Sequence, residues 1–173
     1  MTAKHDLPEM VRTARLTLRR PTVDDIADLM ALANNANVVE HTATLAHPYR
    51  REDGEAFIAT LDAADTPRSY AIAGADDRLM GVMLLKLVEG KLPELGYWLG
   101  EPHWGKGYAS EAAIGLLDAA KSVAPVVSAR VLAGNPASVR VLEKAGFAVT
   151  EHTVSVYARH AGKPIVILQW SAP

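Results

Sequence analysis

The chain has 173 residues, 49% of them apolar and 22% charged, with a formal net charge of −2 and no cysteine. That length fits one domain with a sizeable core, residues 1–173, and the missing thiols exclude disulfides, cysteine nucleophiles and cysteine metal sites. The charge argues against nucleic acid or an anionic membrane as main partner, and the polar start MTAKHDLPEMVRT with no membrane-length apolar run leads us to expect a soluble, cytoplasmic protein.

Residues 14–20, ARLTLRR, alternate apolar and polar as a half-buried strand does, and Pro21 ends them. Thr22, with Asp25 three residues on, opens a helix through Ile26, Leu29, Met30 and Ala33. Residues 34–50 read as a polar, irregular segment, and a second helix follows over about 51–64. Three strands, 69–75, 79–89 and 93–100, form an antiparallel meander across turns at 76–78 and Gly90. A helix over 108–122 carries Ala109, Ala112, Ala113, Leu116, Leu117 and Ala120 on one face. Strand 126–133 follows. A short helix at 135–145 then has Asn135 as N-cap, Pro136 in its first turn and Gly146 beyond its end. Strands 147–158 and 164–170 close the chain. These elements predict an α/β (α+β) fold: a mixed, mostly antiparallel twisted sheet of about seven strands flanked by four helices. Strands 93–100 and 126–133 are joined through a helix and are expected to be parallel.

The chemistry concentrates in 101-EPHWGKGYASEA-112. Glycine admits close backbone approach, and the first amides of a helix lack internal partners while the helix dipole favours negative charge. A Gly-x-Gly-x-Ala run between a strand and a helix is therefore a candidate pyrophosphate cradle, or simply a glycine-rich turn. It matches neither the P-loop nor the GxGxxG dinucleotide pattern. The six histidines show no metal-ligand spacing, so no metal is expected.

The segments 94-ELGYWLGEPHWGKGYASEA-112 and 135-NPASVRVLEKAGF-147 together resemble the GNAT superfamily of N-acetyltransferases, and in particular its ribosomal-protein-alanine acetyltransferase branch. The resemblance implies acetyl-coenzyme A as donor, with its pyrophosphate against Gly105, Lys106, Gly107, Tyr108, Ala109 and Ser110. Trp104 stands where most members have Arg or Gln. The strand before this loop is implied to splay from its neighbour, so that backbone groups of Tyr97, Trp98 and Leu99 pair with pantetheine and the Leu99 N–H meets the thioester oxygen. Asn135 is either a helix cap or a pantetheine contact. Ser138 matches the position assigned in the branch as acid toward the departing thiolate.

The family mechanism is direct attack by an amine in a ternary complex, and Glu94 is the candidate base. Glu111 suits the helix dipole and is read as structural. Glu40, His41, His47, Tyr49 and Tyr157 are candidate acceptor-lining residues, from segment 34–50 and the C-terminal strands. The branch favours a protein α-amine as acceptor. A small amine such as a polyamine, amino acid or antibiotic is the alternative, and a non-catalytic acyl-coenzyme A binding module is a further class. Homodimerisation is common in the family.

Overall fold

The computed structural model describes residues 3–173. Thirteen elements follow one another: β1 (Val11–Arg12), β2 (Thr17–Arg19), α1 (Ile26–Ala33), α2 (Ala36–Glu40), α3 (Arg51–Thr60), β3 (Arg68–Ala73), β4 (Leu79–Lys86), β5 (Glu94–Leu99), α4 (Tyr108–Ala120), β6 (Val126–Leu132), α5 (Pro136–Lys144), β7 (Ala148–Val154) and β8 (Pro164–Ser171). The strands form one sheet in the order β1-β2-β3-β4-β5-β6-β8-β7. Every pair is antiparallel except β5 with β6. The class is as expected, with one strand and one helix more. Strand β1 is two residues long, too short to show alternation. Helix α2 lies inside the segment read as irregular. Its N-cap Asn35 accepts from the amides of Asn37 and Val38, a side-chain cap that starts a five-residue turn where no apolar stripe announces one. Strand β7 ends at Val154 rather than 158, and a 3-10 turn at Ala158–His160 follows.

Alternation along each strand assigns the two faces of the sheet. One face carries Tyr70, Ile72, Met83, Leu85, Leu95, Leu99, Val127, Ala129 and Leu168 in the main core. The six residues expected on the inner face of α4 are all buried there, and four of them are alanine, so the helix axis sits close to the strands. The other face carries Ala71 and Val82, covered by Leu29 and Ala33 of α1 and by Phe57 of α3. These helices cover the β2–β5 half of that face. Beyond it the sheet presents Arg130 and Gln169 to solvent.

Two side chains fix helix entries. Buried Asp25 receives a two-pronged contact from Arg19, at 2.9 Å on each oxygen, and accepts the Thr22 amide at 2.8 Å. The carboxylate, rather than the Thr22 hydroxyl, therefore fixes the helix entry. At the far end of the chain Asn135 caps α5 as expected, accepting from the Ser138 amide, and Gly146 follows it with φ of +97°.

Candidate functional site

Strands β5 and β6 pair only through Glu94↔Ser128 and Leu95↔Ala129. Beyond Leu95 they part. Which backbone groups face the opening follows from alternation. The Gly100 amide donates to the Met80 carbonyl, and the Ser128 amide donates to the Pro93 carbonyl. Even-numbered residues of β5 thus bond to β4, and the backbone N–H and C=O of Tyr97 and Leu99 point into the splay. Trp98 bonds toward β4 instead, and its indole packs among the residues under α1 and α3. A ligand paired along the opening meets Tyr97 and Leu99, not the Trp98 backbone.

Trp104 closes the end of this strand. Its indole N–H donates to the Leu99 carbonyl at 2.7 Å, leaving the Leu99 N–H directed at the opening. The chain then turns through Gly105 (φ +72°) and Gly107 (φ +79°), and Gly107 is the N-cap of α4. No side chain caps this helix end, so the amides of Tyr108, Ala109 and Ser110 carry only the partners a ligand or solvent supplies. Lys106 sits at the crest, its ammonium bonded back to the Pro102 carbonyl at 3.0 Å.

A brace that the sequence did not signal holds this loop. The Arg15 guanidinium donates to the Lys106 carbonyl at 2.9 Å and to Glu111 at 2.7 Å, and lies 4.5 Å from the centre of the Tyr108 ring. Glu111 also accepts from the Thr13 hydroxyl and the Arg15 amide. Burial pushes the Glu111 carboxyl up, but these three donors outweigh it and hold its pKa below the ordinary 4.5. Glu111 is structural, as read, though through Arg15 and Thr13 rather than through the dipole alone.

The splay opens into a groove of about 720 Å³, lined by Glu94, Tyr97, Trp98, Asn135 and Ser138 together with His41, Tyr49 and Tyr157. His47 and Glu40 do not line it. The Glu40 main-chain carbonyl is instead 2.9 Å from Nε2 of buried His160, which must be the protonated nitrogen because a carbonyl only accepts. Arg159 reaches the Thr42 carbonyl at 3.0 Å, so the 3-10 turn after β7 is bolted to segment 41–46 across the groove. Tyr49 is buried, and burial followed by the charge of Asp53 pushes its phenol up to about 12.

Two contacts within the groove join residues far apart in sequence, which no local pattern pairs. The Tyr97 hydroxyl and Ser138 Oγ are 2.6 Å apart, bridging β5 and α5. Burial raises the Tyr97 phenol above its ordinary value, and the Ser138 hydrogen bond offsets this in part. Tyr97 thus contributes a side-chain group as well as backbone. Glu94 Oε2 accepts from Arg130 at 3.1 Å. Among the described residues no group of three His, Asp or Glu is placed to hold a metal ion, and no helix is long and apolar enough to cross a membrane. A second depression, about 490 Å³, holds the Arg19, Asp25, Asp77 and Arg78 cluster and shares no residue with the groove.

Residues 15–148 match the family model of an acetyltransferase (GNAT) domain. The chain belongs to the GNAT acetyltransferase family. It is an acetyl-coenzyme A-dependent acetyltransferase of GNAT type. An uncharacterized N-acetyltransferase, p20, of Bacillus licheniformis is 26% identical over 94% of this chain and 95% of that protein. A probable N-acetyltransferase, YjcK, of Bacillus subtilis (strain 168) is 41% identical over 42% of this chain, a match that spans 43% of YjcK. A ribosomal-protein α-N-acetyltransferase solved in complex with coenzyme A superposes with a TM-score of 0.81 at 16% identity, over 95% of this chain and 98% of that one. At that identity the likeness is one of fold. The acetyltransferase offers two features that fit its donor: a loop with two positive-φ glycines at an uncapped helix end, and strand amides facing a splay.

Proposed function

We propose that the chain acts as one N-acetyltransferase domain in the cytoplasm, moving an acetyl group from acetyl-coenzyme A to an α-amine. The observation that supports it most is the splay of β5 from β6, which separates two kinds of surface. Gly105, Lys106, Gly107, Tyr108, Ala109 and Ser110 would hold the pyrophosphate at one end. The backbone of Tyr97 and Leu99, with the free amide of Asn135, would hold pantetheine along the opening. The donor supplies an activated thioester, and everything else falls to this chain's residues. The Leu99 N–H polarises the thioester oxygen. Glu94, at the vertex of the splay, accepts the amine proton through water. Ser138 donates a hydrogen bond to the departing sulfur, and the more acidic Tyr97 hydroxyl donates to Ser138 Oγ, leaving the serine proton free for that contact.

The charges in the groove support an α-amine over a polyamine. Its two acidic residues are both engaged, Asp53 with the Arg50 amide at 2.7 Å and Glu94 with Arg130. Lys86 and Arg130 balance them. The test is free-thiol release from acetyl-coenzyme A with α-amines and with spermidine. Amine-dependent release favouring α-amines is expected. Saturable binding with no transfer to any amine would leave an acyl-coenzyme A binding module instead.

A further inference from the structure

The floor of the groove has a charge pattern that narrows the acceptor further. Lys86 on β4 is in register with Glu94 on β5, and Glu94 is in register with Ser128 on β6. Residues in register share a face, and Arg130 stands two beyond Ser128, so Lys86, Glu94 and Arg130 project together into the groove. Arg130 NH2 holds Glu94 Oε2 at 3.1 Å, with the two side chains 35% and 26% exposed. The other Arg130 nitrogens bond to no protein acceptor among the described residues, and neither does the Lys86 ammonium. The guanidinium lies 5.9 Å from the Tyr157 ring centre. Beside this row the wall is apolar, with Leu45, Phe57, Val82, Leu84 and Trp98.

We propose that the acceptor is a free α-amino acid with an apolar side chain, bound as its zwitterion. This rests on the reading that Glu94 faces the acceptor. An ammonium and a carboxylate on one carbon complement an existing carboxylate–guanidinium pair: the amine takes Glu94, and the carboxylate takes the spare donors of Arg130 and Lys86. The side chain lies on Phe57 and Trp98. A zwitterion adds no net charge to a balanced site. A polyamine brings extra positive charge against Lys86 and Arg130. A peptide α-amine has no carboxylate beside it and leaves those donors unmatched.

The chemistry balances. The α-ammonium gives one proton through water to Glu94, the neutral nitrogen forms a bond to the thioester carbon, and the C–S bond breaks with its electrons on sulfur. A second nitrogen proton neutralises the thiolate, and Glu94 returns its proton to solvent. The products are an N-acetyl amino acid and coenzyme A.

The experiment compares L-phenylalanine with L-phenylalaninamide, 2-phenylethylamine and spermidine as acceptors in free-thiol release. Phenylalanine should exceed the amide in kcat/KM by about tenfold or more, as expected for a matched charged group. Arg130→Gln should bring that ratio near one, and Lys86→Gln should lower it by less. Equal or better turnover of the amide or of spermidine would overturn the proposal. Calorimetry with N-acetyl-L-phenylalanine and its amide reads the same preference without catalysis. Selective binding of the acid with no turnover of any amine would sink the transferase reading and keep only the recognition of an amino-acid carboxylate by Arg130 and Lys86. Equal binding, or none, would sink this proposal.

Discussion

The donor end and the acceptor end of the splay are built from different materials. The donor end is mostly backbone: positive-φ glycines, the first amides of α4 and the inward groups of Tyr97 and Leu99. The acceptor end is side chains drawn from α3, β4, β5, β6, segment 41–49 and the turn after β7. Backbone recognition constrains residue type tightly, because a Cβ or a cap removes it. Side-chain recognition leaves the surrounding sequence free. One end should therefore break at single backbone-determining positions, and the other should respond to charge changes one residue at a time.

The largest effect is expected at Gly107. Gly107→Glu puts a side chain at φ +79° and a negative charge at the helix end, costing about 1–2 kcal/mol in backbone strain alone. Coenzyme A binding measured by calorimetry should fall at least ~100-fold, since a carboxylate set against the pyrophosphate replaces dipole attraction with like-charge repulsion. A cooperative thermal melt would show that the fold persists, and unchanged affinity would move the cradle elsewhere.

On the acceptor side Glu94→Gln should lower kcat about 100-fold, the usual worth of a general base, with KM for acetyl-coenzyme A little changed. An unaltered kcat from pH 6 to 9 would remove Glu94 as base. Arg15→Ala should raise KM for acetyl-coenzyme A roughly tenfold, through loss of its charge-assisted bonds to Lys106 and Glu111, with the acceptor KM unmoved. A change in acceptor KM instead would blur the division between the ends.

The smallest effect is one of stability. The folded-state pKa of Glu111 is depressed, so its contribution is present above 4.5, the unfolded value, and is lost as pH falls through the folded one. The Tm difference between the wild type and Glu111→Gln should shrink as pH drops below 4.5. A constant difference would mean that the clasp does not depend on the carboxylate's charge.

The same division explains what the sequence disclosed. Asn135, Gly146 and the six buried residues of α4 stand at their expected stations, because caps and periodicity are local rules. Arg15 and Glu111 are 96 residues apart, and no local pattern pairs them. Arg130 is the long polar residue in a strand that alternates with apolar neighbours. Its partner Glu94 follows only from the parallel register of β5 and β6. Glu40 offers a charge in a segment that reads as irregular, yet the fold uses its carbonyl. Strand β7 is exposed at nearly every position, so it lacks the alternation that would have marked its end at Val154.

The most direct measurement is steady-state thiol release from acetyl-coenzyme A with L-phenylalanine, for the wild type, Gly107→Glu and Glu94→Gln. Amine-dependent release is predicted, lost in the first variant through the donor KM and reduced in the second through kcat alone. Release that ignores the amine, or two variants that fail in the same parameter, would contradict a site divided between a backbone end and a side-chain end.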